Sequence, residues 1–252
     1  MNKKIQTLII ISILITPFIS ASLGVNITAQ AQQSNITTNN TSLKSIISKG
    51  DKSILAKITT LNLATNKIKV SGHLNDNQKS SVTEEITVNI TGLNTLITKL
   101  DSETDANAAQ ADVNNIATKF RISGIFIPKI ILQVTAYAYL NTVDKLNSAA
   151  DKLNQKILAE IALGKNEDKA KANYTDLLQQ ITTFKSETNN ALSQANTLTA
   201  DGYPNNLNTI DLAHDSLDNA SDKLYSIRKD IRDSVKYLRR SLRKVATTTD
   251  QN

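Results

Sequence analysis

From Leu43 almost to the end of the chain, apolar residues recur on helical spacing. Ile47, Ile54, Leu61 and Ile68 stand seven residues apart with Ile58 between them. This predicts a first helix over 43–70, or over 51–70 if Asp51 caps it after Gly50. The SGHLND segment (Ser71–Asp76) interrupts the pattern, and Asn75 followed by Gln78 has the spacing of a capping box. Val82, Ile86, Ile90, Leu93, Ile97 and Leu100 then stripe a second helix, so residues 43–103 read as an antiparallel helical hairpin. Ala109, Val113, Ile116 and Phe120 mark a shorter third helix that starts at Thr104 or Asp105 and is ended by Gly124.

Pro128 suits the first turn of a fourth helix, whose stripe is Tyr139, Val143, Leu146, Ala150, Leu153 and Ile157, closed by Gly164. A fifth, over about 166–200, uses Tyr174, Leu177, Ile181, Phe184, Thr188, Ala191, Ala195 and Leu198. DGYP (Asp201–Pro204) is a turn. The sixth has the strictest register, with Ile210, Leu217, Leu224, Ile231, Leu238 and Val245 seven apart over about 40 residues, a rod on the order of 60 Å. A period of 3.5 held that far predicts a coiled-coil-like seam, because a straight isolated helix drifts out of such register. No alternation of strand period stands out. The expected fold is all-α: an elongated antiparallel bundle in which an N-terminal hairpin and short third helix (43–124) precede a long three-helix bundle (125–246).

One stretch, RISGIFIPKIILQVTAYAYL (Arg121–Leu140), is nearly free of charge. A membrane span is disfavoured by Gly124, Pro128, Lys129 and Gln133 near its centre. The preferred reading is core, with Ile125, Phe126 and Ile127 as a buried crossover. The alternative is an apolar groove for a ligand or client near residues 125–139, lined by Phe126, Tyr137 and Tyr139. Two tyrosines one residue apart cannot share a helix face.

Before residue 43 the pattern changes. Lys3 and Lys4, an apolar core over Leu8–Ile19, and small-residue runs at Ser20–Ser22 and Ala29–Ala31 read as a signal peptide over 1–31, with an uncleaved anchor as the rival. Residues 32–42 read as a flexible polar linker and 247–252 as a disordered tail. Composition agrees with helical rods: aromatics are 4% of the chain, Trp is absent, and there are 7 Gly and 3 Pro. With 0 Cys, disulfides, thiol nucleophiles and thiolate metal sites are excluded, so packing must hold the fold. The formal charge of +6 is too modest to imply a polyanion partner by itself.

The motifs SKGDKSI…LN (Ser48–Asn62), LDSETD (Leu100–Asp105), DVNNIATKFRI…IPK (Asp112–Lys129), DKLNSAADKL (Asp144–Leu153) and the closing LDNASDKLYSIRKDIRDSVKYLRRSL (Leu217–Leu242) occur in an order and spacing that resemble an uncharacterised family of exported all-helical proteins of bacteria and archaea. The likeness covers about residues 45–245. Where that family often carries a basic residue after GDxxI, this chain has Leu55, Ala56 and Lys57. The resemblance implies helical architecture and export, and brings no activity and no catalytic residues.

Charge distribution supplies the remaining candidate chemistry. Between Lys223 and Lys244 nine cations, among them Arg228, Arg232, Lys236, Arg239, Arg240, Arg243 and Lys244, face only Asp230 and Asp233. Asp211, Asp215, Asp218 and Asp222 precede them, so the helix dipole already accounts for the polarity. The number of cations suggests in addition docking on an acidic envelope surface, either anionic lipid or a surface polymer. Nucleic acid is not expected, since from Arg228 onward only Tyr237 interleaves with the basic residues. Arg121 is expected to pair with Asp105 or Asp112. His73 and His214 are isolated in sequence and no glycine-rich phosphate loop exists, so neither catalysis, metal nor cofactor is expected. These features point to a non-catalytic exported scaffold or interaction protein of the cell envelope, with a carrier or chaperone-like binder as the alternative. Partner and oligomeric state stay open.

Overall fold

The computed structural model describes the backbone of residues 36–249 and the side chains of 42–240, and over this range it is all-α with no strand. Helix α1 spans Ile36–Lys69, α2 Asp76–Asp101 and α3 Ala106–Thr118. A π-helical turn over Ile122–Phe126 leads into α4 (Ile127–Ala162), which is followed by α5 (Asp168–Thr197), a 3-10 turn at Ala200–Gly202, and α6 (Asn206–Thr249). Residues 1–31, expected as a signal peptide, lie outside the described residues.

Several boundaries differ from the expected ones. Helix α1 runs straight through Gly50 and Asp51 and begins at Ile36, so residues 36–42, expected as linker, are helical, as are 247–249 of the expected tail. Gly50 explains the continuity: it is buried, and a Cβ there would lie 2.3 Å from Leu100 Cδ2 and 2.9 Å from Val113 Cγ2. Close approach of α1 to α2 and α3 needs the missing side chain more than it needs helix propensity. Helix α3 ends at Thr118, not at Gly124, because Arg121 adopts a left-handed conformation with φ 40°.

The other termini follow local chemistry. Asn75 and Gln78 form the reciprocal cap of α2, each side-chain oxygen accepting the other residue's backbone N–H at 2.9 Å. Asp105 caps α3 by accepting from the Ala108 N–H at 2.8 Å. Pro128 sits in the first turn of α4, and Gly164, with φ +79°, ends the helix as the left-handed residue that such a stop favours.

The helices pack into two apolar clusters. Ile54, Leu61 and Ile68 of α1 meet Val82, Ile86 and Leu93 of α2 and Ile116 of α3. Tyr139, Val143, Leu146, Leu153 and Ile157 of α4 meet Leu177, Ile181 and Phe184 of α5 and Leu217, Leu224 and Ile227 of α6. The start of α4 belongs to both: Ile127, Ile130, Ile131, Val134 and Tyr137 face the first cluster, while Leu132, Ala136 and Tyr139 face the second. From Ile125 to Val143 no residue is exposed, and beyond Asp144 only one stripe is covered. Ala106–Ala162 contains an 18-residue window apolar enough to cross a membrane by composition, and 44% of that window is buried inside the fold.

On α6 the residues seven apart are buried at Ile210, Leu217, Leu224 and Leu238 and half-buried at Ile231, with Ala213, Ala220, Ile227 and Ser234 filling the positions three further on. Small residues there allow near approach of α4 and α5. Thr188 is fully buried in α5 because its hydroxyl donates to the Phe184 carbonyl at 2.8 Å, leaving its methyl to pack.

Gly50→Val is expected to lower unfolding free energy by about 1–3 kcal/mol through overpacking. Gly72→Ala, where a Cβ meets open space, should stay within about 0.5 kcal/mol; urea titration of both compares them. Burial, then the Asp101 charge, raises the Asp51 carboxyl above its ordinary range. Ionised Asp51 therefore costs stability above its raised folded pKa, and the cost disappears as pH falls through that value toward the unfolded one. Asp51→Asn should accordingly melt higher than wild type at neutral pH, with the difference shrinking on acidification.

Candidate functional site

Three places on the fold carry side chains that helix packing alone does not use up. The first is the basic half of α6. Arg232, Lys236, Arg239 and Arg240 are exposed and Arg228 is half-buried. Lys236 reaches Asp233 at 3.6 Å, an exposed pair of little energetic weight. No described carboxylate lies within ion-pair distance of the four arginines. Arg243 and Lys244 fall on the described backbone of α6, beyond its described side chains. Beside this surface, two polar clefts of about 510 and 420 Å³ run between α5 and α6, sharing Asp176, Gln180 and Asp230 as lining. Gln180 donates to Asp230 Oδ2 at 2.8 Å across the first. Their lining mixes both charge signs, so they favour water over any one ligand class.

The second place is the apolar crossover. Ile125, Phe126 and Ile127 are buried. Of the three residues expected to line a groove, Phe126 borders a cavity of about 290 Å³ with Phe120, Val88 and Leu198. Tyr137 packs half-buried against the first cluster, and Tyr139 is buried in the second with its ring 5.7 Å from that of Phe184. The two tyrosines thus occupy opposite faces of α4.

Next to this cavity a polar relay crosses the fold. Lys129 Nζ lies 2.7 Å from Glu85 Oε2, and Gln133 Nε2 donates to Glu85 Oε1 at 2.9 Å and to Asn196 Oδ1 at 3.0 Å. Gln133 is almost wholly buried, so helices α2, α4 and α5 are held in one register by a side chain whose donors are satisfied only when all three are in place. A second tie runs from Asn141, which donates to the His73 carbonyl and to Gln78 Oε1, both at 2.7 Å. Sequence reasoning took Gln133 only as an argument against membrane insertion. Its position on the inward face of an otherwise apolar helix was the available signal.

The third place surrounds Arg121. The expected partners are engaged elsewhere: Asp105 caps α3, and Asp112, buried at the α2–α3 contact, is 2.5 Å from Lys99 Nζ. Asp112 is the first cause of the raised Lys99 pKa. Arg121 instead stacks its guanidinium over the Tyr203 ring, 3.9 Å from the centroid. Its left-handed backbone is uncommon for a residue with a side chain and costs on the order of 1–3 kcal/mol. The buried Arg121 Nε has no hydrogen-bond partner. Lys57 of α1 lines the same depression of about 270 Å³, and burial with no compensating carboxylate pushes its pKa below the ordinary lysine range.

His73 lies in the α1–α2 loop and His214 on the exposed side of α6, and among the described residues no three His, Asp or Glu side chains gather as a metal site requires. The chain matches no family model, no curated protein and no solved structure. Gln133→Leu, close in volume, should leave Glu85 and Asn196 without their shared donor and lower stability by about 1–3 kcal/mol, read from urea midpoints at unchanged helix content.

Proposed function

We propose that this chain is a non-catalytic exported scaffold or interaction protein of the cell envelope, of the kind its motifs resemble, and that it docks on anionic surfaces through the basic end of α6. In this reading α1–α3 form a hairpin with a third helix packed on it, and α4–α6 form an elongated coiled-coil-like bundle that presents the docking end. The observation that carries it is the exposed set Arg232, Arg239 and Arg240, whose guanidinium groups have no carboxylate within ion-pair distance among the described residues. An internal role for so many cations would show as pairing or burial. The length of α6 supports the same reading, since at 44 residues it outlasts α5 at 30.

The carrier reading keeps one specific support, the cavity beside Phe126. At about 290 Å³ it sits at the lower limit of small-molecule sites. With Tyr137 and Tyr139 spent in the two cores, it suits a small apolar ligand better than a protein client.

Each Lys or Arg near an anionic bilayer contributes about 1 kcal/mol. Replacing Arg239, Arg240 and Arg243 together by Gln should then weaken binding to phosphatidylglycerol vesicles on the order of 100-fold, and salt should weaken wild-type binding in the same direction. Cosedimentation that is unaltered in the triple variant, or equally strong on neutral vesicles, removes the docking proposal.

A further inference from the structure

The geometry points to a binding site for a small oxyanion, a carboxylate or phosphate group carried on a short apolar body, between Lys57 of α1 and Arg121 of the α3–α4 connection, with Tyr203 as its wall. Three stretches distant in sequence converge there: α1, the end of α3 with the π-helical turn that follows it, and the loop between α5 and α6. The two cations share one depression that no carboxylate lines, and neither is within ion-pair distance of an acid among the described residues. An anion bound there would give both cations the counter-charge that the surrounding side chains do not supply.

Arg121 is oriented for the task. Stacking on Tyr203 occupies the face of the guanidinium and fixes its plane, which leaves the N–H edge as the recognition element, and a planar fork of donors matches the two oxygens of a carboxylate or phosphate. The Nε–H of the same group is buried and no protein acceptor satisfies it. Ile116, Ala117 and Ile122 complete the lining with apolar surface for the rest of the ligand. The volume, about 270 Å³, lies below the roughly 300–1,000 Å³ of sites for larger organic ligands, which favours a small anion over a lipid tail or an extended polymer. This site shares no residue with the basic end of α6 and stands independently of the docking proposal.

The test is a titration of the full chain at constant ionic strength with inorganic phosphate and, separately, with acetate, following the backbone amide resonances of Ile122, Ser123 and Gly124, which line the depression and are present in every variant. Saturable shifts are expected with at least one probe, and which probe saturates identifies the ligand group. Arg121→Asn, which tolerates the left-handed backbone, and Lys57→Gln should each weaken that binding about tenfold or more. Lys57→Gln changes a half-exposed position on a helix, so it reads the site even if Arg121→Asn perturbs the connection. The Arg239, Arg240 and Arg243 to Gln variant should titrate like wild type. Shifts that fail to saturate with both probes, or saturable shifts that survive Lys57→Gln unchanged, overturn the assignment.

Discussion

Between Ile125 and Val143 the connection and the start of α4 have no exposed residue, and the need to cover a helix on every side governs how the rest of the chain is placed. A helix with a single apolar stripe needs one partner surface. This one carries two stripes, Ile127, Ile130, Val134 and Tyr137 on one side and Leu132, Ala136 and Tyr139 on the other, and each requires its own neighbours. Helices α1–α3 supply one set and α5–α6 the other. Fully burying one such side chain is worth about 1.5–3 kcal/mol, so leaving either side open would forfeit several times that amount.

Polar groups enter this interior only where their partners are fixed. The Thr188 hydroxyl finds its acceptor one turn back on its own helix, so its burial asks nothing of the neighbours. Gln133 is the opposite case, because its partners come from α2 and α5 and exist only in the assembled fold. Apolar stripes tolerate sliding by a heptad with modest loss, whereas a buried amide does not. The Gln133 and Asn141 contacts therefore select one relative placement of the helices from the several that packing alone would permit.

The helical rods were legible because their apolar positions obey one period, as Ile210, Leu217, Leu224 and Leu238 illustrate, and the Asn75–Gln78 cap was legible because its spacing has a mechanism. The end of α3 was misread. Gly124 looked like the stop, but the left-handed residue is Arg121, and nothing local in the sequence favours a guanidinium side chain there. Its guanidinium instead meets Tyr203, more than eighty residues away. The Arg121 partner was misjudged on the same ground, since pairing by nearest charge ignores that Asp105 is committed to a helix end and Asp112 to Lys99. Gly50 likewise read as a boundary when it is a point of close contact. Features that depend on one chain segment were visible, and features that depend on two distant segments were not.

Because α4 belongs to both clusters, the two cores share a helix among the described residues. A cut near residue 124 would strip one half of the helix that roofs it and leave the other with a greasy flank, so neither fragment would inherit a finished interior. Disturbance on one side is also felt on the other, as when one tenant leans on a party wall.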